Sequence, residues 1–246
     1  MKRKKLTLVI ISFLIVSSIS IAHAFVFPQE TRCLLIDFYN FEKEGNLYFR
    51  ENIEFEKRIQ LQNLISQAET RVEEFWEKKM TNPQFIYCDT NEDYLKFGAP
   101  FLTPAAAILK FESYVVISKD GIDLDILAHE IAHTELYSRI GFFNNLSEIP
   151  VWFSEGLAMQ VDHRSYYSSD SLNVKSNVFQ NLPKVEEMTS INQFAFGSRD
   201  EIILNYSAAK YEVGKWYSKE KLKSFVKKIN DENSFEEAYN NLPTKK

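Results

Sequence analysis

Asp123-Leu124-Asp125-Ile126-Leu127-Ala128-His129-Glu130-Ile131-Ala132-His133 opens a segment that reads as a helix through Arg139, with Asp123 and Asp125 suited to its N-terminus. At 3.6 residues per turn, positions four apart share a face, so the imidazoles of His129 and His133 can address one cation. Glu130 follows His129 directly, and its carboxylate can reach a water bound to that cation. Zinc suits this chemistry because it is redox-inert, binds neutral imidazole and lowers the pKa of bound water toward 7. Ile131 and Ala132 between the histidines are apolar, as a buried helix requires. Beyond residue 24 the chain holds three histidines, and two of them form this pair.

A catalytic zinc takes three protein ligands and keeps a fourth position open. A third histidine at H-E-x-x-H-x-x-G-x-x-H spacing is excluded, because Leu136 and Arg139 stand at the last two positions. A carboxylate from a following helix is available instead. Pro150 suits the first turn of a helix over Val151 to Val161, containing Trp152-Phe153-Ser154-Glu155-Gly156-Leu157-Ala158. Gly156 and Ala158 would let it approach the first helix closely and present Glu155; the plainer reading of Glu155 is an exposed helix acid. Asp162, seven residues on, reads either as a hydrogen-bond partner of a ligand histidine or as the solvated end of that helix.

The wider composition is that of a globular chain: 246 residues, 45% hydrophobic, 26% charged, 14% aromatic and a formal charge of −5. Lys2, Arg3, Lys4 and Lys5 precede an apolar run from Leu6 to Ala22, and Ala22-His23-Ala24 offers a cleavage site, the pattern of a secretory signal peptide. The alternative is a retained N-terminal membrane anchor; either reading places the remainder outside the cytoplasm. Removing residues 1–24 takes away four positive charges and moves the charge from −5 to −9, which disfavours nucleic acid as a partner. Cys33 and Cys88, the only cysteines, are expected to pair as a disulfide in an oxidising compartment, the alternative being two separate buried thiols.

Between these landmarks, Cys33-Leu34-Leu35-Ile36 suggests a strand pair, and Ile53 to Met80 a long amphipathic helix stopped by Asn82-Pro83. Gln84 to Cys88 reads as a strand and Asn91 to Phe97 as a helical turn. Ala107-Ile108-Leu109 and Tyr114-Val115-Val116-Ile117 read as strands, Ile140 to Ile149 and Asp162 to Asn181 as loops. Helices are expected around Glu201 to Lys219, Lys221 to Asn230 and Ser234 to Asn241. Helix, then strands, then helices alone points to an α+β fold. The chain divides into residues 1–24, an N-terminal helix and strands over 25–100, and a catalytic core with a helical C-terminal part over 101–246.

H-E-x-x-H followed by W-F-S-E-G-L-A resembles the gluzincin metallopeptidases, and especially peptidase MA-like domains, over about Tyr114 to Leu242. The resemblance implies a zincin-like fold, a small mixed sheet with an active-site helix and then a mainly helical lobe. It implies one catalytic Zn2+ bound by His129, His133 and Glu155, with Glu130 as general base and proton shuttle. Tyr206, in Asn205-Tyr206-Ser207-Ala208-Ala209, stands where such domains carry a tyrosine that donates to the oxyanion; Tyr211 and His163 are its alternatives. The 21 residues between His133 and Glu155 exceed the spacing of the M1 aminopeptidases. Pro104-Ala105-Ala106-Ala107-Ile108 also lacks the acid that anchors a free amino terminus there. An endopeptidase is therefore expected before an aminopeptidase, its peptide or protein substrate lying extended along an edge strand near Tyr114 to Ser118. A catalytically inactive, peptidase-like binding module and a secreted structural domain with an accidental motif are the competing classes. No Gly-rich phosphate loop or serine-nucleophile elbow competes.

Overall fold

The computed structural model describes residues 2–109, 112–168 and 182–240. Helices α1 (Lys2–Val26) and α2 (Pro28–Leu34) come first, then a hairpin of β1 (Glu42–Glu44) and β2 (Leu47–Phe49). Next are α3 (Phe55–Trp76), β3 (Gln84–Cys88), α4 (Asn91–Phe97), β4 (Ala105–Leu109) and β5 (Ser113–Ser118). Helices α5 (Leu124–Ser147), α6 (Val151–Ala158), α7 (Ile191–Phe194), α8 (Arg199–Trp216), α9 (Lys219–Asn230) and α10 (Phe235–Asn240) complete the described chain. This is an α+β architecture.

The strands make one mixed sheet in the order β1-β2-β3-β5-β4. β2, β3 and β5 run parallel, while β1 and β4 are antiparallel to their neighbours. Side chains alternate between two faces, as the period of a strand requires. Leu47, Phe49, Phe85, Tyr87, Val115 and Ile117 face the main core with α3, α5, α6 and the C-terminal helices. Tyr48, Ile86, Cys88, Tyr114 and Val116 face a smaller core closed by α2, α4 and the residues beside them. β5 thus lies inside the sheet, so the expected substrate edge at Tyr114 to Ser118 is corrected: the margin on this side is β4.

Other sequence expectations shift for local reasons. Pro28 sits in the first turn of α2, so residues 33–36 are helix end and a 3-10 turn rather than a strand pair. α3 stops at Trp76, and Glu77 turns the chain at a φ of 63°. The backbone N–H groups of Met80 and Thr81 then donate to the buried carboxylate of Glu135, at 2.9–3.1 Å. α5 resumes beyond a break at Gly141 (φ 78°) where a loop was expected. α6 is shorter than anticipated, ending at Ala158. Most of the expected loop after Asp162 lies outside the described residues.

The expected Cys33–Cys88 disulfide is not formed. Both thiols are fully buried in the smaller core, and Cys33 Sγ donates to the carbonyl of Phe97 at 3.4 Å. Burial pushes both thiols well above their ordinary pKa, which withholds the thiolate that oxidation requires. α1 is helical through Ala22-His23-Ala24. Among the described residues, no helix is long and apolar enough to cross a membrane.

Candidate metal centre

Asp123 fixes the start of α5 by accepting from the N–H groups of Asp125 and Ile126, at 2.8 and 3.1 Å. Leu127, Ala128, Ile131, Ala132 and Leu136 bury one side of the helix in the main core. That sets the rotation which turns His129 and His133 together toward α6. Their Nε2 atoms stand 3.1 Å apart, with the ring planes at 77°.

α6 is anchored at its first turn, where the N–H groups of Val151 and Trp152 donate to the carbonyls of Thr189 and Met188. It lies hard against α8 at Gly156, where a Cβ would come within 2.6 Å of both the Ala209 carbonyl oxygen and Val213 Cγ2. The geometry delivers Glu155 to the histidines: its Oε2 is 3.2 Å from His129 Nε2 and 3.5 Å from His133 Nε2. A tetrahedral zinc with bonds of about 2.0–2.1 Å needs ligand atoms separated by about 3.3–3.4 Å. The three spacings, 3.1, 3.2 and 3.5 Å, bracket that requirement, so the trio could hold one such ion. Among the described residues it is the one group of three or more His, Cys, Asp or Glu close enough to hold a metal.

The remaining imidazole nitrogens each face a polar side chain. His133 Nδ1 is 3.2 Å from Ser154 Oγ. His129 Nδ1 is buried without a hydrogen-bond partner, but Asp162 Oδ2 lies 3.8 Å away. Asp162 has no exposure, which excludes the solvated-end reading, and it stands beyond the last turn of α6 rather than on it. Arg164 grips its carboxylate with Nε at 3.0 Å to both oxygens and with Nη2, and Lys210 Nζ donates to its backbone carbonyl. A slight rotation of His129 toward Asp162 would satisfy the orphaned nitrogen and leave both Nε2 lone pairs for a cation.

Burial disfavours ionised Glu155, yet the facing His133 and His129 hold its carboxyl well below the usual carboxylate range. Burial likewise disfavours charged His133, and Glu155, aided by Glu130, reverses this and raises its pKa. Glu130 is half-buried at the same mouth, near enough to act electrostatically on His133, Tyr94 and Tyr206. Tyr206 reaches the site from α8, with its ring 6.2 Å from that of His129 and packed edge-on against Phe194. Burial, then Glu155 and Glu130, push its phenol well above the ordinary value, so it keeps its proton and can donate it in a hydrogen bond. Of its alternatives, His163 is exposed, with its backbone N–H on Asp125, and Tyr211 lies farther along α8 beside Lys215.

Sequence reasoning missed Ser154 and Arg164. Ser154 was visible beside Glu155, but its pairing with His133 depends on how two helices cross. Arg164 carried a weak local signal, a cation two residues from an acid.

β4 borders this region and packs against α5. The Ser118 N–H donates to the Pro104 carbonyl at 2.9 Å. By the alternation of an antiparallel pair, the peptide groups of Ala106 and Ile108 therefore face β5, while those of Ala105, Ala107 and Leu109 point to the outer margin. Thr103 Oγ1 already occupies the Ala105 carbonyl at 3.0 Å and is itself hydrogen-bonded to the Tyr94 hydroxyl.

Comparison with profiles of known protein families, with curated proteins and with solved structures finds nothing that matches the chain.

Proposed function

We propose that this chain is a zinc-dependent peptidase of the gluzincin type, with a zincin-like fold, acting on peptide or protein substrates outside the cytoplasm. One observation carries the reading: two imidazoles and a carboxylate from different helices converge at separations suited to a single tetrahedral cation. His129, His133 and Glu155 would hold the ion, with Asp162 and Ser154 orienting the two imidazoles. Zinc bound there would supply Lewis acidity toward a peptide carbonyl and would activate water.

The chain's own groups then divide the remaining work. Glu130 takes the proton from the attacking water and returns it to the leaving amine. Tyr206 donates a hydrogen bond toward the oxygen on which negative charge develops. The substrate lies extended along β4, where the N–H and C=O of Ala107 face outward and Thr103 competes for the Ala105 carbonyl. The cleft-side segment Pro104 to Ile108 carries no acid to hold a free amino terminus, which favours internal cleavage.

The decisive comparison is between the parent chain and Glu130→Gln. The parent is expected to cleave an unfolded protein such as reduced casein and to stop when a chelator removes its metal. Glu130→Gln is expected to lose hydrolysis by about 10²–10⁴-fold while retaining one zinc per chain. A dialysed parent without stoichiometric zinc would refute the metal site. Zinc without hydrolysis in the parent would make the chain a peptidase-like binding module.

A further inference from the structure

We infer that, with residues 1–24 retained as in the second of the two readings of the N-terminus, the block where α1 meets α2 is seated in the surface of a lipid bilayer, holding the folded body against the membrane. Within residues 25–38 five large apolar side chains lie open: Phe25 (83% exposed), Val26, Leu34, Leu35 and Phe38 (85%). The same block commits Cys33 and Ile36 to the smaller core, so it has one packed side and one bare side. Isolated exposed apolar residues are ordinary, but a concentration of this kind marks an interaction surface.

The neighbouring helix identifies the occupant. Along α1, Ile11, Phe13, Leu14, Ile15 and Ile21 are each at least half exposed. They fall on several sides of the helix rather than on one stripe, and apolar side chains bared in several directions call for an apolar surrounding rather than a single partner face. α1 and the bare face form one unit: the Phe27 N–H donates to the His23 carbonyl at 2.8 Å and the Thr31 N–H to Phe27 at 3.0 Å. His23 Nδ1 also bonds Thr31 Oγ1 at 2.8 Å across the joint. A second protein, including another copy of this chain, would have to follow the apolar side chains of α1 around the helix and cover the α2 face as well, whereas the yielding boundary between headgroups and acyl chains accommodates both. Lys2, Arg3, Lys4 and Lys5 at the far end suit anionic headgroups, and phenylalanines at the joint suit the boundary between acyl chains and headgroups. Surface seating does not require any helix to cross the bilayer.

The test uses the full chain reconstituted with vesicles of phosphatidylcholine and phosphatidylglycerol, with or without brominated acyl chains. Phe38→Trp places a reporter at the bare face, and Phe196→Trp places one at an equally exposed phenylalanine in the C-terminal half. Emission of the parent, from Trp76, Trp152 and Trp216, is subtracted. Phe38→Trp should lose at least about half its reporter emission in brominated vesicles, while Phe196→Trp is unchanged. Leu35→Trp should repeat the Phe38→Trp result. Equal emission of Phe38→Trp with and without bromine, equal quenching of both sites, or failure of the chain to float with vesicles would each overturn the inference. None of these outcomes depends on zinc or hydrolysis.

Discussion

Alanine at position 156 probes fold and site together. Its methyl group would meet the Ala209 carbonyl oxygen and Val213 Cγ2, both at 2.6 Å. Ordinary contact begins near 3.4 Å, so α6 and α8 would have to part by about 0.8 Å. Overpacking of this kind costs about 1–3 kcal/mol, while replacing a helical glycine by alanine returns about 1 kcal/mol in propensity. A backbone carbonyl on a packed helix cannot swing aside, so we expect a net loss of about 1–2 kcal/mol. For a chain of this size that lowers the melting temperature by about 2–8 °C. The residue just before it on α6 is Glu155, and a displacement of a few tenths of an ångström already exceeds the tolerance of a zinc ligand, about 0.2 Å. Zinc affinity should therefore fall by about 10–100-fold. Thermal melts of the metal-free chain and competition with a chromophoric chelator measure the two effects. Gly214→Ala is the control: its methyl would meet only the end of a side chain, Gln160 Oε1 at 3.3 Å, and stability should stay within about 1 kcal/mol. If Gly156→Ala matches the parent in both assays, the close crossing of α6 and α8 is refuted.

Glu135→Ala should destabilise by about 3–5 kcal/mol, because it strands the Met80 and Thr81 N–H groups and Arg139; hydrogen exchange at Met80 and Thr81 should accelerate with it. In the metal-free chain, Glu155 has a lowered pKa, so its contribution is present above its ordinary value of 4.5 and is lost as pH falls through the depressed value. His133 has a raised pKa, so its contribution is complete below 6.5 and is lost as pH rises through the raised value. The pair should therefore stabilise the metal-free chain most between pH 4.5 and 6.5, and a melting series that shows no excess there over Glu155→Gln would contradict this. Native alkylation of Cys33 and Cys88 should be slow and should become complete on unfolding; a mass showing them oxidised would contradict their burial as thiols.

The sequence showed most where chemistry and periodicity coincide. His129 and His133 are four apart on a strongly formed helix, so their convergence follows from helical geometry alone. Glu155 needed more: Gly156 and Ala158 signal a close helix approach, expected against α5, whereas Gly156 meets Ala209 and Val213 on α8. Strands β3 and β5 are legible from their β-branched and aromatic runs and β4 only from its end, Ala107-Ile108-Leu109, but which of them borders the sheet is a matter of long-range pairing, and β4 rather than β5 takes the edge. The end of α3 falls before the expected Met80, at a left-handed Glu77 with no glycine to mark it, and the carboxylate that holds the Met80 and Thr81 N–H groups beyond it comes from Glu135, far along the chain. Asp162 was noticed through a helical spacing that does not exist, since α6 ends before it, yet chain reversal brings it beside His129 all the same.

An open sheet margin carries a hazard as well as an opportunity. Among the described residues, outward peptide groups along β4 such as that of Ala107 can recruit an identical strand from a neighbouring molecule as readily as anything else, the usual first step toward aggregation. β4 is five residues long and begins with three alanines, which are poor strand formers with little surface to bury. Such a strip gives a transient visitor somewhere to pair while offering little to a permanent one. Exchanging Ala105 and Ala107 for valine should tip that balance toward self-association at high concentration.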